Sequence, residues 1–145
     1  MPTDPHDLAL LNAQIKNIPY CAWLGISVDA LTDTYLQCRM PFVEKLVGNK
    51  RLPAVHGGAI ASFLETSSIF AANYFGNTPV DRLAVPISVT LSYVRSAGPE
   101  DLIARAEIVK KGRRVMQMRS TAHQSDPAKP VAILNASFLI PALSQ

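Results

Sequence analysis

Between Arg51 and Asp81 the chain carries a single formally charged side chain, Glu65, inside the apolar run Gly57-Gly58-Ala-Ile-Ala-Ser-Phe-Leu-Glu65-Thr-Ser-Ser-Ile-Phe-Ala-Ala-Asn-Tyr-Phe75. An ionised carboxylate is costly to bury unless it is solvated or paired, so a solitary one in such a segment is a candidate reactive group. Directly upstream stands His56-Gly57-Gly58, where two adjacent glycines let another molecule approach the backbone closely. A reactive carboxylate and a bare helix N-terminus together point to acyl chemistry.

The elements that must position these groups follow from periodicity and punctuation. Thr3 or Asp4 can cap a short helix with Pro5 in its first turn, running through Leu8, Leu11 and Ile15 until Pro19; residues 1–20 therefore read as a peripheral N-terminal helix, a lid or brace. From Leu24 to Pro41 the pattern is that of strands, with a turn at Thr32-Asp33 and alternation of Leu36, Cys38 and Met40 against Tyr35, Gln37 and Arg39. Residues 42–55 contain Gly48, Asn49 and Pro53 and read as a loop.

A helix from about Gly58 to Phe75 is apolar on nearly all sides and stops at Gly76-Asn77, a pair suited to left-handed backbone. Such a helix must be wrapped by a sheet. Four further strands are expected over Leu83 to Ser96, Asp101 to Lys110, Arg113 to Gln124 and Pro130 to Ile140, separated by Gly98-Pro99-Glu100, Lys111-Gly112 and Asp126-Pro127. Short turns imply antiparallel neighbours, hence a four-strand meander. The prediction is one α+β domain over 1–145, with an antiparallel sheet curled around the long helix.

Composition narrows the class. At 145 residues, 48% hydrophobic and 17% charged, the chain suits one globular domain with a real core. Its N-terminal residues show no basic stretch followed by an apolar run, and Ser62, Glu65, Thr66 and Asn73 interrupt the longest apolar segment, so a soluble cytoplasmic protein without membrane contact is expected. Cys21 and Cys38 lack metal-type spacing and sit among apolar neighbours, which predicts buried free thiols and no metal site. A net charge of +3 without long Lys/Arg runs or interleaved aromatics argues against nucleic acid as a partner.

Leu46-Val-Gly-Asn49, Pro53-Ala-Val-His56-Gly57-Gly58, Glu65, Val89-Thr-Leu-Ser-Tyr93-Val-Arg95 and Lys111-Gly112-Arg113-Arg114 together resemble the hotdog-fold thioesterases, particularly the phenylacetate-degradation (PaaI-like) type. The resemblance extends from about Pro19 to Leu139. It implies hydrolysis of acyl-CoA thioesters, generally without metal or cofactor. In the implied mechanism Gly57, beside Gly58, offers its N–H to the thioester carbonyl at the positive helix end. Glu65 acts either as general base on water or as nucleophile forming a mixed anhydride. Asn49 holds the attacking water or the carbonyl, and His56 braces the loop.

Each role has a plainer counterpart. Asn49 after Gly48 is often only a turn residue. Gly57-Gly58 could serve tight packing alone, Glu65 an internal ion pair, and Thr66, Ser67 and Ser68 the back-bonding usual in helices. Ser68, one turn from Glu65, is the hydroxyl that could orient its carboxylate. Many relatives place Asp at the position of Glu65, and a Ser or Thr where this chain has Pro86, so that either Ser88 or Thr90 substitutes or that function is absent. Lys110, Lys111, Arg113 and Arg114 around Gly112, with Arg95 as a second candidate, are expected to meet the CoA phosphates; a solvated hairpin turn is the alternative.

Geometry predicts a shared site. Gly57 and Glu65 are eight residues apart, about 12 Å along one helix, whereas reacting groups must lie within about 3–3.5 Å. Two antiparallel copies about a two-fold axis would oppose Gly57 of one to Glu65 of the other. This agrees with the dimers of the family, which often pair further into tetramers. Competing readings are a hotdog enoyl-CoA hydratase or dehydratase, which needs a catalytic His paired with a carboxylate, and a non-catalytic acyl-CoA-binding protein. Aryl, short-chain and medium-chain acyl groups all fit the sequence.

Overall fold

The computed structural model describes residues 4–79 and 81–142. Helix α1 (Pro5–Lys16) begins where Asp4 accepts a hydrogen bond from the His6 N–H at 2.9 Å, with Pro5 in the first turn. Thr3, the other candidate cap, lies outside the described residues. A second helix, α2 (Pro19–Leu24), follows; its Cys21 and Leu24 are buried. Strands β1 (Ser27–Leu31) and β2 (Tyr35–Met40) form the expected hairpin, whose turn is closed by Thr32 Oγ1 accepting from the Thr34 and Tyr35 N–H groups. Leu36, Cys38 and Met40 face the core, as their alternation requires.

Residues 42–55 are more regular than a loop: a 3-10 turn (Glu44–Leu46) leads into a small hairpin of β3 (Val47–Asn49) and β4 (Ala54–Val55). Helix α3 (Gly57–Phe75) comes next. At its end Gly76 keeps a right-handed φ of −83°, and Asn77, at φ 51°, makes the left-handed turn, so the stop rests on the asparagine. Strands β5 (Val85–Tyr93), β6 (Leu102–Lys111), β7 (Val115–His123) and β8 (Pro130–Leu139) complete the chain.

The sheet is antiparallel in the order β1-β2-β6-β7-β8-β5 and packs across α3. The late strands are therefore not a four-strand meander: only β6, β7 and β8 are sequential neighbours, and β5 pairs with β8 at the opposite edge. The connection from β5 to β6 cannot be a hairpin because it is anchored elsewhere. Ala97 is buried and its carbonyl accepts from Val55 N–H, while Gln124 holds Gly98 through both backbone groups. Tied down in this way, the chain crosses the sheet and re-enters beside β2.

Phe63, Leu64 and Phe70 of α3 pack with Leu36, Met40, Leu102, Met116, Leu134 and Phe138 of the sheet. Burying each such side chain stabilises the fold by about 1.5–3 kcal/mol. Ala61, Ser62, Glu65, Thr66 and Ile69 are only half buried and form a stripe along α3 that the sheet leaves uncovered. Both cysteines are buried free thiols, as expected; burial raises both pKa values, that of Cys38 to about 12, which makes them poor nucleophiles. Among the described residues no helix is long and apolar enough to cross a membrane.

Candidate active site

The N-terminus of α3 is built around His56. Its backbone N–H donates to Leu46 O across the small hairpin, and its Nδ1 accepts the Gly58 N–H at 2.8 Å, making His56 the N-cap. The imidazole fits because its neighbours lack side chains. A Cβ at Gly58 would lie 2.9 Å from His56 Nδ1, and one at Gly48 would lie 2.9 Å from both His56 Cα and Cδ2. Since Nδ1 accepts a backbone hydrogen bond, the proton of the neutral ring sits on Nε2, where it is a donor. The ring therefore braces the loop and is held in the tautomer unsuited to accepting a proton at Nε2.

The capping leaves one N–H unspent. Ala59 and Ile60 donate to His56 O and Gly58 donates to the imidazole, whereas the Gly57 N–H has no acceptor among the described residues. It is a free donor at the positive end of a 19-residue helix, the arrangement that stabilises an oxyanion. Tyr93, at the end of β5, supports it: its hydroxyl donates to Gly57 O at 2.8 Å, and its hydroxyl oxygen and nearest ring carbons lie 3.2–3.3 Å from where a Gly57 Cβ would stand. Sequence reasoning assigned Tyr93 no task, because a tyrosine in a strand is ordinary and its partner is 36 residues away.

Glu65 lies two turns further along, in the uncovered stripe of α3. Among the described residues it has no hydrogen-bond or ion-pair partner, which removes the internal ion-pair reading. Ser68 corrects the expectation attached to it. It points away from that stripe into the core, donates to Leu64 O at 2.9 Å and shares a short hydrogen bond with the buried Ser120 hydroxyl, so it cannot orient the Glu65 carboxylate or touch substrate. Ser67 likewise back-bonds to Phe63 O.

Asn49 is exposed beside this loop, and its side-chain oxygen accepts the Arg51 N–H at 3.0 Å, closing a local turn. Its amide NH₂ has no partner among the described residues and remains for a ligand. Ser88 and Thr90, the candidate replacements for a hydroxyl near Pro86, line the outer face of the sheet with Gln117 and Asn135, away from α3. Neither supplies a hydroxyl to this helix end.

The basic hairpin between β6 and β7 lies at the other end of α3. Lys111 Nζ donates to Phe75 O at 2.6 Å and so caps the helix C-terminus, and the Gly112 N–H closes the turn on Val115 O at 2.9 Å. The Gly112 N–H is thereby spent on the turn, a correction to its reading as a phosphate contact, while Lys111 is held at the helix end with two of its three ammonium donors left over. Arg113 and Arg114 are exposed without a side-chain partner among the described residues, and Arg113 borders a cleft of about 350 Å³ formed with Gly76, Met116 and Ile140. Arg95 donates through Nε to Pro130 O at 2.9 Å. A cleft of about 490 Å³ between α1 and the α3 C-terminus, lined in part by Asp7, Leu10 and Tyr74, includes none of the groups at the α3 N-terminus.

Comparison with known proteins identifies the family and the fold. Residues 52–131 match the family model described as the thioesterase superfamily. A putative esterase of Halobacterium salinarum is 32% identical over 108 residues, 74% of this chain and 71% of that protein. A structure from Chromobacterium violaceum is 30% identical with a TM-score of 0.71, covering 92% of this chain and 91% of the other. A thioesterase of Haemophilus influenzae shares the fold at 18% identity and a TM-score of 0.81, covering 95% of this chain and 92% of its own. A thioesterase of Pseudomonas aeruginosa does so at 22% identity and a TM-score of 0.81, covering 97% and 99%.

Proposed function

This chain belongs to the thioesterase superfamily, and from that premise we propose that it hydrolyses acyl-CoA thioesters to free acid and CoA, as a PaaI-like, cytoplasmic, homodimeric hotdog enzyme. The observation that carries the reading is the free Gly57 N–H at the mouth of α3, left over when His56 caps Gly58, on the same helix as an unpaired carboxylate. The donor stabilises charge on the thioester oxygen, and Glu65 activates water or attacks the carbonyl itself. A hydratase would need His56 as a base, and its Nδ1 is already occupied by the Gly58 N–H.

Two features favour a second copy completing the site. β5 is an edge strand whose Val85, Ile87, Val89 and Tyr93 are all exposed, although natural proteins usually protect such edges. Ala61 and Glu65 of α3 are also left half buried by the sheet, with no α2 side chain among the described residues bonded to them as there is to Ser62 and Thr66, which leaves that part of the helix face for an antiparallel pairing. The test is thiol release. Purified protein without added metal is expected to liberate free CoA from at least one of acetyl-, hexanoyl- and benzoyl-CoA, and no release from any of them would remove the acyl-CoA assignment.

The same two-fold arrangement gives the basic hairpin a place. If Gly57 faces Glu65 of the partner subunit, Phe75 of the partner lies ten residues beyond Gly57, about 15 Å past the helix end. The partner's hairpin then stands where the nucleotide end of CoA would reach, with Arg113 and Arg114 as phosphate donors. Arg113→Ala combined with Arg114→Ala is expected to raise KM for acyl-CoA several-fold and to weaken its salt dependence, with little change in kcat. Hydrolysis of a short pantetheine thioester should be unaffected. An unchanged KM for acyl-CoA would make the hairpin a solvated turn.

A further inference from the structure

α2 turns Cys21 and Leu24 into the core and presents Tyr20 and Trp23 outward, each 51% exposed. Their rings are nearly parallel, 16° apart with centroids 6.3 Å from one another. A single exposed aromatic is unremarkable, but two large rings held side by side form an apolar surface for something else to cover. The pair is fixed from both ends. Lys45 donates to Trp23 O at 2.8 Å and sits 4.1 Å from the ring centroid, and the Tyr20 hydroxyl lies 3.1 Å from Ser62 Oγ, which itself donates to Gly58 O. Cys21 Sγ lies 3.9 Å from Thr66 Oγ1, which seats α2 on the same side of α3.

Position along α3 says what the surface faces. Ser62 is five residues after Gly57 and three before Glu65, so Tyr20 stands over the stretch between them, about 7.5 Å from Gly57 along the axis. A thioester whose carbonyl meets the Gly57 N–H sends two arms away from that point. In the arrangement proposed above, the nucleotide arm runs off the end of α3 toward the partner's hairpin, and the acyl group runs the other way, toward Ser62. The chemistry agrees. Lys45, the cation at the pair, is engaged by a carbonyl and an indole face, and the rest of the surface is aromatic, which suits hydrocarbon and not phosphate.

Resting on the acyl-CoA reading, we infer that Tyr20 and Trp23 form the wall against which the distal carbons of the acyl group pack, so that this pair selects larger acyl groups over acetyl. Removing ring surface should then cost binding only for substrates long enough to reach it. Trp23→Ala is expected to lower kcat/KM for hexanoyl-CoA about tenfold while leaving acetyl-CoA within about twofold, in line with the selectivity a few methylenes provide in an apolar pocket. Tyr20→Ala should act in the same direction, and Tyr20→Phe, which keeps the ring and loses the Ser62 contact, should retain the wild-type preference.

Trp23 is the sole tryptophan, so its emission reports on this surface without any reaction. Titrating wild-type protein with hexyl-CoA, a thioether that is not hydrolysed, should change that emission saturably, whereas CoA alone should not. Equal losses for hexanoyl- and acetyl-CoA in Trp23→Ala, or no loss for either, would overturn the inference, and so would an emission change that CoA alone reproduces. If the wild-type protein releases no thiol from any acyl-CoA, the functional reading fails first, and the hexyl-CoA titration still decides the wall: no change in emission removes it.

Discussion

Glu65→Ala is expected to reduce thiol release from acyl-CoA by at least about a hundredfold, the loss usual when a positioned base is removed. The fold should survive. Glu65 is half buried without a partner among the described residues, so its removal leaves no donor or acceptor unsatisfied, and alanine is at least as good a helix former as glutamate. Thermal unfolding of the variant should therefore stay close to wild type while kcat collapses. Binding of hexyl-CoA should persist, because the role proposed for the carboxylate, activating water or attacking the carbonyl, is confined to the reacting centre. Turnover near the wild-type rate would sink the assignment of Glu65.

The second large effect is recovery of activity from two inactive chains. Gly57→Pro removes the one N–H proposed as oxyanion donor, and the backbone accommodates it: the residue occupies the first turn of α3, where proline is favoured. His56 before it has φ −59° and ψ 133°, the extended region that a following proline demands. The atoms nearest to where a Gly57 Cβ would stand belong to Tyr93, an exposed side chain. Gly57→Pro and Glu65→Ala homodimers should both be inactive. Mixed at equal amounts with subunit exchange, half of the dimers are heterodimers with one intact site of two, so about a quarter of wild-type activity should return. Exchange without recovery, with Gly57→Pro shown to be folded by circular dichroism, would place both groups of each site on one chain.

Much of the candidate site was legible in the sequence because its parts are local. A lone carboxylate in an apolar helix, a His-Gly-Gly entrance and the spacing between them are facts of adjacency, and helix geometry converts eight residues into about 12 Å without any tertiary knowledge. The β1–β2 hairpin and the existence of the late strands follow for the same reason: alternation and turn residues act over a few positions. Where roles depended on which way a side chain faces, adjacency was insufficient. Ser68 is one turn from Glu65 in sequence, but its position on the helix circumference turns it to Ser120 in the core.

The tertiary structure alone decided the pairings made across long separations. β5 lies beside β8 and not β6 because its connection to β6 is pinned at Ala97 and Gly98 by Val55 and Gln124, residues far away in the chain. That placement brings Tyr93 to Gly57 and leaves an apolar edge open to a second copy. Folding likewise ties Lys111 to the α3 C-terminus and leaves the Arg113 and Arg114 side chains without a partner among the described residues, a distinction invisible in the cluster of basic residues around Gly112. It also set Tyr20 over Ser62, with Trp23 stacked beside it. Local chemistry is written in spacing; which groups are consumed by the fold, and which remain for a ligand, depends on contacts between segments that sequence proximity does not encode.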